Sequence, residues 1–225
     1  MPFLDLVERV AEVRERIAAA AARGGHQHDV TLVAVTKTHG PDAVRAAWDA
    51  GVRDVGENRV QEALEKMERV EVPVQWHLIG HLQRNKTKFL DNVALVHSLD
   101  SARLADALSD YGVSRGRTVD ALVQVNASGE DSKGGYSLEE LVPEAERLTS
   151  LAGVRVCGVM TMAPFTSDES ALRASFGAAR AARAVLREVG HPADALSMGM
   201  SNDYELAVEE GATVVRLGTA LFGAR

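Results

Sequence analysis

The sequence contains few cysteines and aromatic residues and no long apolar run. The single cysteine, Cys157, has no partner for an internal disulfide, and its apolar, strand-like surroundings predict a buried and inert thiol. No apolar run reaches the roughly 18 residues that a membrane helix needs, so a membrane protein is not predicted. The first ten residues carry acids and no basic region, which argues against a secretory signal and favours the cytoplasm.

Positive charge is also scarce. The chain has 25 lysine and arginine residues against 32 acidic ones, for a net charge of −7, and the basic residues are scattered along it. Nucleic-acid binding needs a concentrated basic surface, so a nucleic-acid partner is not expected. An anionic small ligand would instead need a local site built from backbone amides and one or two cations.

The chain does contain a regular alternation of strand and helix patterns. An amphipathic helix is predicted over 3–23, and helical patterns also begin near residues 41, 58, 83, 101, 137, 167 and 202. Eight short apolar runs have the length of strands, at 30–36, 52–55, 74–78, 95–97, 118–125, 154–159, 195–198 and 213–216.

Eight strand–helix units predict an α/β fold, a single (β/α)8 TIM barrel over residues 1–225 with an extra N-terminal helix. An open doubly wound sheet is the alternative. A closed barrel needs no partner to complete its sheet, so a monomer is expected.

Lys37 stands where the first strand of such a barrel would end. It follows an apolar run and precedes Gly40 and Pro41. In a barrel, functional residues gather at the carboxyl ends of the strands. An ammonium is costly to desolvate there, so Lys37 is expected either to bind a ligand or to form a structural salt bridge.

The last two strand ends suggest a phosphate site. The loop 197–203 combines glycine and hydroxyl residues before a helical segment, and 216–219 adds a second glycine turn from the neighbouring strand. Two ordinary loops with helix caps are the alternative. With Lys37 on the adjacent first strand, the set fits a cofactor that carries an aldehyde and a phosphate, such as pyridoxal phosphate. Arg216 would then face the pyridine nitrogen, and because a guanidinium cannot accept a proton, the ring would be a weak electron sink.

Other polar residues at strand ends have simpler interpretations. His77 and His81 are four residues apart, but no third ligand is evident, so satisfied polar side chains are favoured over a metal site. Glu57 could act as a general base, although stabilisation of a helix N-terminus is the stronger interpretation. No metal is predicted.

Five blocks of sequence are typical of one family: 33–38, 56–62, 76–86, 196–201 and 215–219. With these blocks the chain resembles the YggS/PROSC family of pyridoxal-phosphate-binding proteins, which are single-domain relatives of the N-terminal barrel of alanine racemase. The resemblance spans almost the whole chain and implies an alanine-racemase-like barrel that binds pyridoxal 5'-phosphate.

The resemblance also implies roles for individual residues. Lys37 would form a covalent aldimine with the cofactor, and Arg216 would face the pyridine nitrogen. Asn58 would lie beside the cofactor, with His77 and Ser197 nearer the edge of the pocket. The phosphate would be bound by Ser201, Gly218 and Thr219 with the backbone of Met200. Apart from the resemblance, Lys133 lies in a glycine-bounded loop, where a solvated surface charge is the usual interpretation; the hypothesis is that its amine takes part in receiving or releasing the cofactor.

The family's implied function is pyridoxal phosphate homeostasis, in which the cofactor is held as a lysine aldimine for buffering or for delivery to apoenzymes, without efficient catalysis. A pyridoxal-phosphate-dependent amino-acid racemase of low activity is the alternative, and an interaction module with a relic site is a third. A two-base racemase needs an acid/base on each face of the cofactor, which alanine racemase supplies with a tyrosine from a second domain. This chain ends at Arg225 after the eighth strand, and none of its three tyrosines follows a predicted strand.

Overall fold

The computed structural model describes residues 3–127 and 134–223. Eight parallel strands form a closed barrel in the order β1 to β8, which confirms the predicted (β/α)8 fold and excludes the open sheet. The strands are β1 (Thr31–Val35), β2 (Asp54–Glu57), β3 (Gln75–Leu78), β4 (Val93–Leu99), β5 (Val119–Gln124), β6 (Val154–Met160), β7 (Ala195–Ser197) and β8 (Val214–Leu217).

Helices surround the barrel and connect its strands. They are α1 (Leu6–Arg23), α2 (Pro41–Asp49), α3 (Val60–Met67), α4 (Ala102–Ser114), α5 (Leu138–Thr149), α6 (Glu169–Glu188), α7 (Tyr204–Glu209) and α8 (Thr219–Phe222). The additional N-terminal helix α1 packs against α7 and α8. None of the helices in the described ranges combines the length and the hydropathy of a membrane span.

The connection between β3 and β4 differs from the prediction. It contains a short 3₁₀ helix (Arg84–Phe89) in place of an α-helix. Its sequence, RNKTKF, has three cations and a single large apolar residue, so it lacks the apolar stripe that holds an amphipathic α-helix on a core.

Side-chain alternation along β1 determines which way Lys37 points. Leu32 and Ala34 belong to the hydrophobic core shared with the helices, whereas Val33 faces the barrel interior, where it would contact a Cβ on Gly56. Successive strand residues point to opposite faces. Lys37 therefore continues the inward row, and it lines the same cavity as Val35.

Strand β2 begins two residues later than predicted. Val52 belongs to the end of the preceding helical turn, because its amide donates to the carbonyl of Ala47 at 2.9 Å. The shift places Glu57 inside β2, fully buried, and not at a helix N-terminus. The predicted helix-capping role of Glu57 is therefore wrong.

Cys157 lies in β6, as predicted, but it is only partly buried. Alternation places its side chain on the same side of the strand as Arg155, which is exposed. Full burial was the wrong prediction. Burial and the nearby Asp120 still raise the pKa of the Cys157 thiol, which keeps it unreactive near neutral pH.

Candidate functional site

A cavity of about 660 Å³ opens at the carboxyl ends of the strands. It has the size of a small-molecule site and the location at which barrel proteins bind their ligands. Seven of the nine residues predicted to bind the cofactor line this cavity: Lys37, Asn58, Met200, Ser201, Arg216, Gly218 and Thr219.

The two strands that carry the charged groups are neighbours. β1 pairs with β8 in parallel, with Val33 opposite Arg216. The prediction that the lysine of the first strand lies next to the end of the last strand is therefore confirmed. Lys37 is partly buried at the cavity wall, and Arg216 is buried in the cavity floor with 4% of its surface exposed.

The guanidinium of Arg216 is held in one orientation by three hydrogen bonds. Nη1 donates to the carbonyl oxygen of Ser197 at 2.8 Å and to its hydroxyl at 2.6 Å, and Nη2 donates to the carbonyl of Thr161 at 3.0 Å. Burial lowers the pKa of Arg216 to about 10. The group stays charged at neutral pH and remains a hydrogen-bond donor that cannot accept a proton.

A chain of hydrogen bonds continues from Arg216 into the barrel. Ser197 Oγ lies 2.9 Å from His97 Nδ1, His97 Nε2 lies 2.8 Å from His77 Nδ1, and His77 Nε2 lies 3.0 Å from Asp54 Oδ1. His77 and Ser197 thus lie beneath the cavity, and in the described ranges neither of them lines it. Their direct contact with a cofactor stays a prediction.

The hydrogen bonds between Arg216 and Asp54 all run in one direction, from donor to acceptor. Because Ser197 Oγ accepts from Arg216, its own proton is free to go to His97 Nδ1, and each imidazole then donates through Nε2 toward Asp54. Burial, reinforced by His77 and Arg216, lowers the pKa of His97 well below its usual range. A neutral His97 of this tautomer keeps the serine hydroxyl turned away from Arg216.

The loops after β7 and β8 form the expected cradle of backbone amides. Ser201 Oγ accepts a hydrogen bond from the amide of Ala220 at 3.1 Å, which ties the two loops together. Within residues 3–127 and 134–223, the backbone nitrogens of Ser201, Asn202, Gly218 and Thr219 donate no hydrogen bond. Four unused amide donors at one cavity wall match the needs of an anionic oxygen cluster.

Met200 lines the cavity, but its backbone amide is not available for the predicted contact with the phosphate. Its amide donates to the carboxylate of Asp203 at 2.6 Å, so this donor is already used within the loop. The side chain of Met200 lines the cavity and is 38% exposed. The contribution of Met200 to the site is therefore an apolar surface at the entrance.

Asn58 depends on a glycine of the neighbouring loop. A Cβ on Gly80 would lie only 2.4 Å from the carbonyl oxygen of Asn58, so the two backbones can approach each other only because residue 80 is glycine. This contact fixes the loop that carries Asn58 against the end of β3.

Several residues of the cavity were not predicted as site residues. His81 Nδ1 lies 2.8 Å from Asp100 Oδ2, and both line the cavity. Phe165 is 93% exposed at the entrance, and Gln124 lies deeper in the wall. His81 falls in one of the five sequence blocks, but Asp100 follows β4 and Gln124 ends β5, and neither strand carried a motif.

The three tyrosines lie outside the cavity. The hydroxyl of Tyr111 donates to Asp91 at 2.6 Å, and that of Tyr136 donates to Glu144 at 3.0 Å. The hydroxyl of Tyr204 is buried. Burial and the adjacent Glu144 also raise the pKa of Tyr136 above its usual value. None of the three is placed to exchange a proton with a ligand beside Lys37.

Two further sequence hypotheses have different outcomes. His77 and His81 have separate partners, and among the described residues no group of three or more histidine, cysteine or acidic side chains is arranged to hold a metal ion. Lys133 lies outside the described residues, so its hypothetical role in cofactor transfer stays a prediction.

The chain also matches a known protein family and known proteins. The family described as "Alanine racemase, N-terminal domain" matches residues 9–225. The chain belongs to this family. A protein of Aquifex aeolicus is 41% identical over 226 residues, which cover 99% of each chain. A protein of Pseudomonas aeruginosa is 43% identical over 223 residues, covering 98% of this chain and 96% of the relative. Both relatives are named pyridoxal phosphate homeostasis protein.

A solved structure agrees with the fold. PipY of Synechococcus elongatus PCC7942, determined with pyridoxal phosphate bound, matches with a TM-score of 0.85 and 35% identity. The match covers 97% of this chain and 100% of PipY. The resemblance inferred from the five sequence blocks is therefore confirmed at the level of family and fold.

Proposed function

We propose that this protein binds pyridoxal phosphate and acts in its homeostasis, holding the cofactor covalently on Lys37. The observation that carries the proposal is the convergence of a lysine amine, a fixed guanidinium and a set of unused backbone amides on one cavity. The relatives named for pyridoxal phosphate homeostasis and the cofactor-bound PipY support it.

The residues present fit the three polar parts of the cofactor. The aldehyde would react with the amine of Lys37, forming an aldimine and releasing one water. The phosphate would lie against the amides of Ser201, Asn202, Gly218 and Thr219. Arg216 would donate to the pyridine nitrogen. A site that engages all three parts protects a reactive aldehyde from other amines.

The same residues favour retention of the cofactor over catalysis. Pyridoxal phosphate supplies an electron sink for carbanion chemistry, and the sink is strong only when the ring nitrogen is protonated. Arg216 is held by three protein acceptors and cannot supply a proton readily. The three tyrosines do not line the cavity, so none of them supplies the second acid/base of a racemase. Delivery to apoenzymes and a monomeric state remain predictions within this proposal.

The proposal is tested by the visible spectrum of the purified protein near neutral pH. We expect the wild type to retain pyridoxal phosphate after gel filtration. It should show an absorbance band at a longer wavelength than that of the free aldehyde. Lys37→Ala should lose the band, because it lacks the amine that reacts. An unchanged spectrum in Lys37→Ala would contradict the proposal.

The catalytic alternative is tested on the same loaded protein. Incubation with a single enantiomer of alanine should leave its configuration unchanged on the timescale of an ordinary enzyme. Turnover at about 1 per second or faster, the range of ordinary enzymes, would contradict a carrier role.

A further inference from the structure

A second lysine is buried directly behind the Lys37 loop. Lys66, on α3, is 4% exposed, and it does not line the cavity in the described ranges. Its ammonium donates to the carbonyl of Thr36 at 2.8 Å, to Glu57 Oε1 at 2.5 Å and to Glu62 Oε1 at 2.9 Å. Glu57, Glu62 and Lys66 are named the Lys66 cluster below.

The Lys66 cluster holds both peptide groups that flank Lys37. The carbonyl of the preceding Thr36 accepts from Lys66, and the amide of the following Thr38 donates to Glu62 Oε1 at 2.5 Å. The hydroxyl of Thr36 also donates to Glu57 Oε1. Because peptide groups are planar, fixing the two that flank a residue fixes its φ and ψ. The direction of the Lys37 side chain is therefore set from outside the cavity.

The backbone conformation of Thr38 requires supporting contacts. Thr38 has φ of +65°, in the left-handed region that β-branched residues avoid. Such a conformation persists only where surrounding contacts enforce it, and it concentrates at functional sites. Two contacts enforce it: the amide of His39 donates to the carbonyl of Thr36 at 3.0 Å and closes the turn after Lys37, and the amide of Thr38 donates to Glu62.

An ion pair is not required to fill this space. A buried ion pair can often be replaced by apolar residues of similar volume without loss of stability. Apolar side chains, however, could not hold the carbonyl of Thr36 and, through Glu62, the amide of Thr38. The need to orient Lys37 therefore explains why charged groups, and not apolar ones, occupy this buried space.

We propose that the Lys66 cluster positions Lys37 for reaction with the aldehyde of pyridoxal phosphate. Lys66 is a positioning residue: it forms no bond to the cofactor and exchanges no proton with it. In the reaction, the Lys37 amine adds to the aldehyde carbon, a C=N bond forms and one water leaves. This inference rests on the proposed function, because it assigns a role to the support of the Lys37 amine.

The first test uses a variant in which the buried charges disappear together. Lys66→Met/Glu57→Gln removes the ammonium without leaving an isolated carboxylate. We expect it to fold, to take up pyridoxal phosphate at least tenfold more slowly than the wild type, and to release it at least tenfold faster on dilution. The increase of the visible absorbance band measures the uptake rate, and its decrease on dilution measures the release rate. Lys88→Met, at an exposed lysine outside the cavity, is the matched control and should behave as the wild type.

The second test separates positioning from general stability. Glu62→Gln keeps an oxygen that accepts from the Thr38 amide, whereas Glu62→Leu does not. If both variants melt at similar temperatures, positioning predicts that Glu62→Gln retains most of the uptake rate and that Glu62→Leu loses it. This pair leaves Lys66 and Glu57 in contact, so it decides the question even if the double variant fails to fold.

The outcomes also separate this inference from the proposed function. If the wild type forms no Lys37-dependent band, the proposed function fails and the positioning role fails with it. If the wild type forms the band and the folded Lys66→Met/Glu57→Gln or Glu62→Leu variant matches its rates, only the positioning role is overturned.

Discussion

Lys66→Met is expected to lower the free energy of unfolding by about 3–5 kcal/mol, the usual cost of removing one partner of a buried ion pair. Glu57 is fully buried, and its Oε2 already lacks a hydrogen-bond partner in the described part of the chain. Without Lys66, its Oε1 would keep only the hydroxyl of Thr36. For a protein of this size the loss corresponds to a melting temperature lower by roughly 6–20 °C, measurable by calorimetry.

The destabilisation of Lys66→Met should depend on pH. Burial raises the pKa of Glu57 above its usual value, and Lys66 opposes that rise. Removing Lys66 raises the pKa further, so the folded state binds more protons than the unfolded state above the usual pKa of a glutamate. Stability then falls as the pH rises through this window. The deficit of Lys66→Met relative to the wild type should therefore be smaller at pH 5 than at pH 7.5.

The double variant Lys66→Met/Glu57→Gln is the control for this charge effect. It should recover most of the lost stability at pH 7.5, because no isolated charge remains buried. A single variant as stable as the wild type at pH 7.5, or a double variant no more stable than the single one, would contradict the assigned ion pair.

Arg216→Met is expected to weaken both the barrel and its ligand binding. It removes three buried hydrogen bonds and leaves the carbonyls of Ser197 and Thr161 without that donor. The carbonyl of Ser197 still accepts from the amide of Thr161 at 3.1 Å, so the carbonyl of Thr161 is the one deprived of its donor, and we expect a loss of about 1–3 kcal/mol in the free energy of unfolding. Losing the donor to the pyridine nitrogen should also lower the affinity for pyridoxal phosphate on the order of 10- to 100-fold.

Arg216→Lys is the matched control for charge. It keeps a cation, but an ammonium lacks the planar fork that spans Ser197 and Thr161 together. Its stability should lie between those of the wild type and Arg216→Met, as measured by urea unfolding. Titration of each folded variant with pyridoxal phosphate gives the affinity, and wild-type affinity in Arg216→Met would show that Arg216 does not contact the ring.

Local patterns in the sequence were sufficient for the barrel and the cavity wall. The apolar run before Lys37 predicted β1, and the glycine turns after β7 and β8 predicted the loops that carry the unused amides. These features depend on contiguous residues. The order of eight strand–helix units then places β1 beside β8 without any long-range information.

The supporting contacts behind the cavity could not be predicted in this way. His97 stands next to Ser98 in an otherwise apolar strand, and its partners His77 and Ser197 lie 20 and 100 positions away. The Lys66 cluster depends on β2 starting two residues later than the apolar pattern indicates, which buries Glu57 beside α3. Hydrogen bonds between elements that are distant in sequence produce no periodic pattern of residues, so they cannot be predicted from such patterns.

Reduction of the loaded protein with borohydride, followed by peptide mapping, tests the covalent role of Lys37 most directly. Borohydride converts a lysine aldimine of pyridoxal phosphate into a stable amine, so the modified residue keeps the mass of the cofactor. We expect a single labelled peptide, the one that contains Lys37, and no label in Lys37→Ala. A label confined to another lysine such as Lys66 or Lys133, or the absence of any label after reduction, would contradict the assignment.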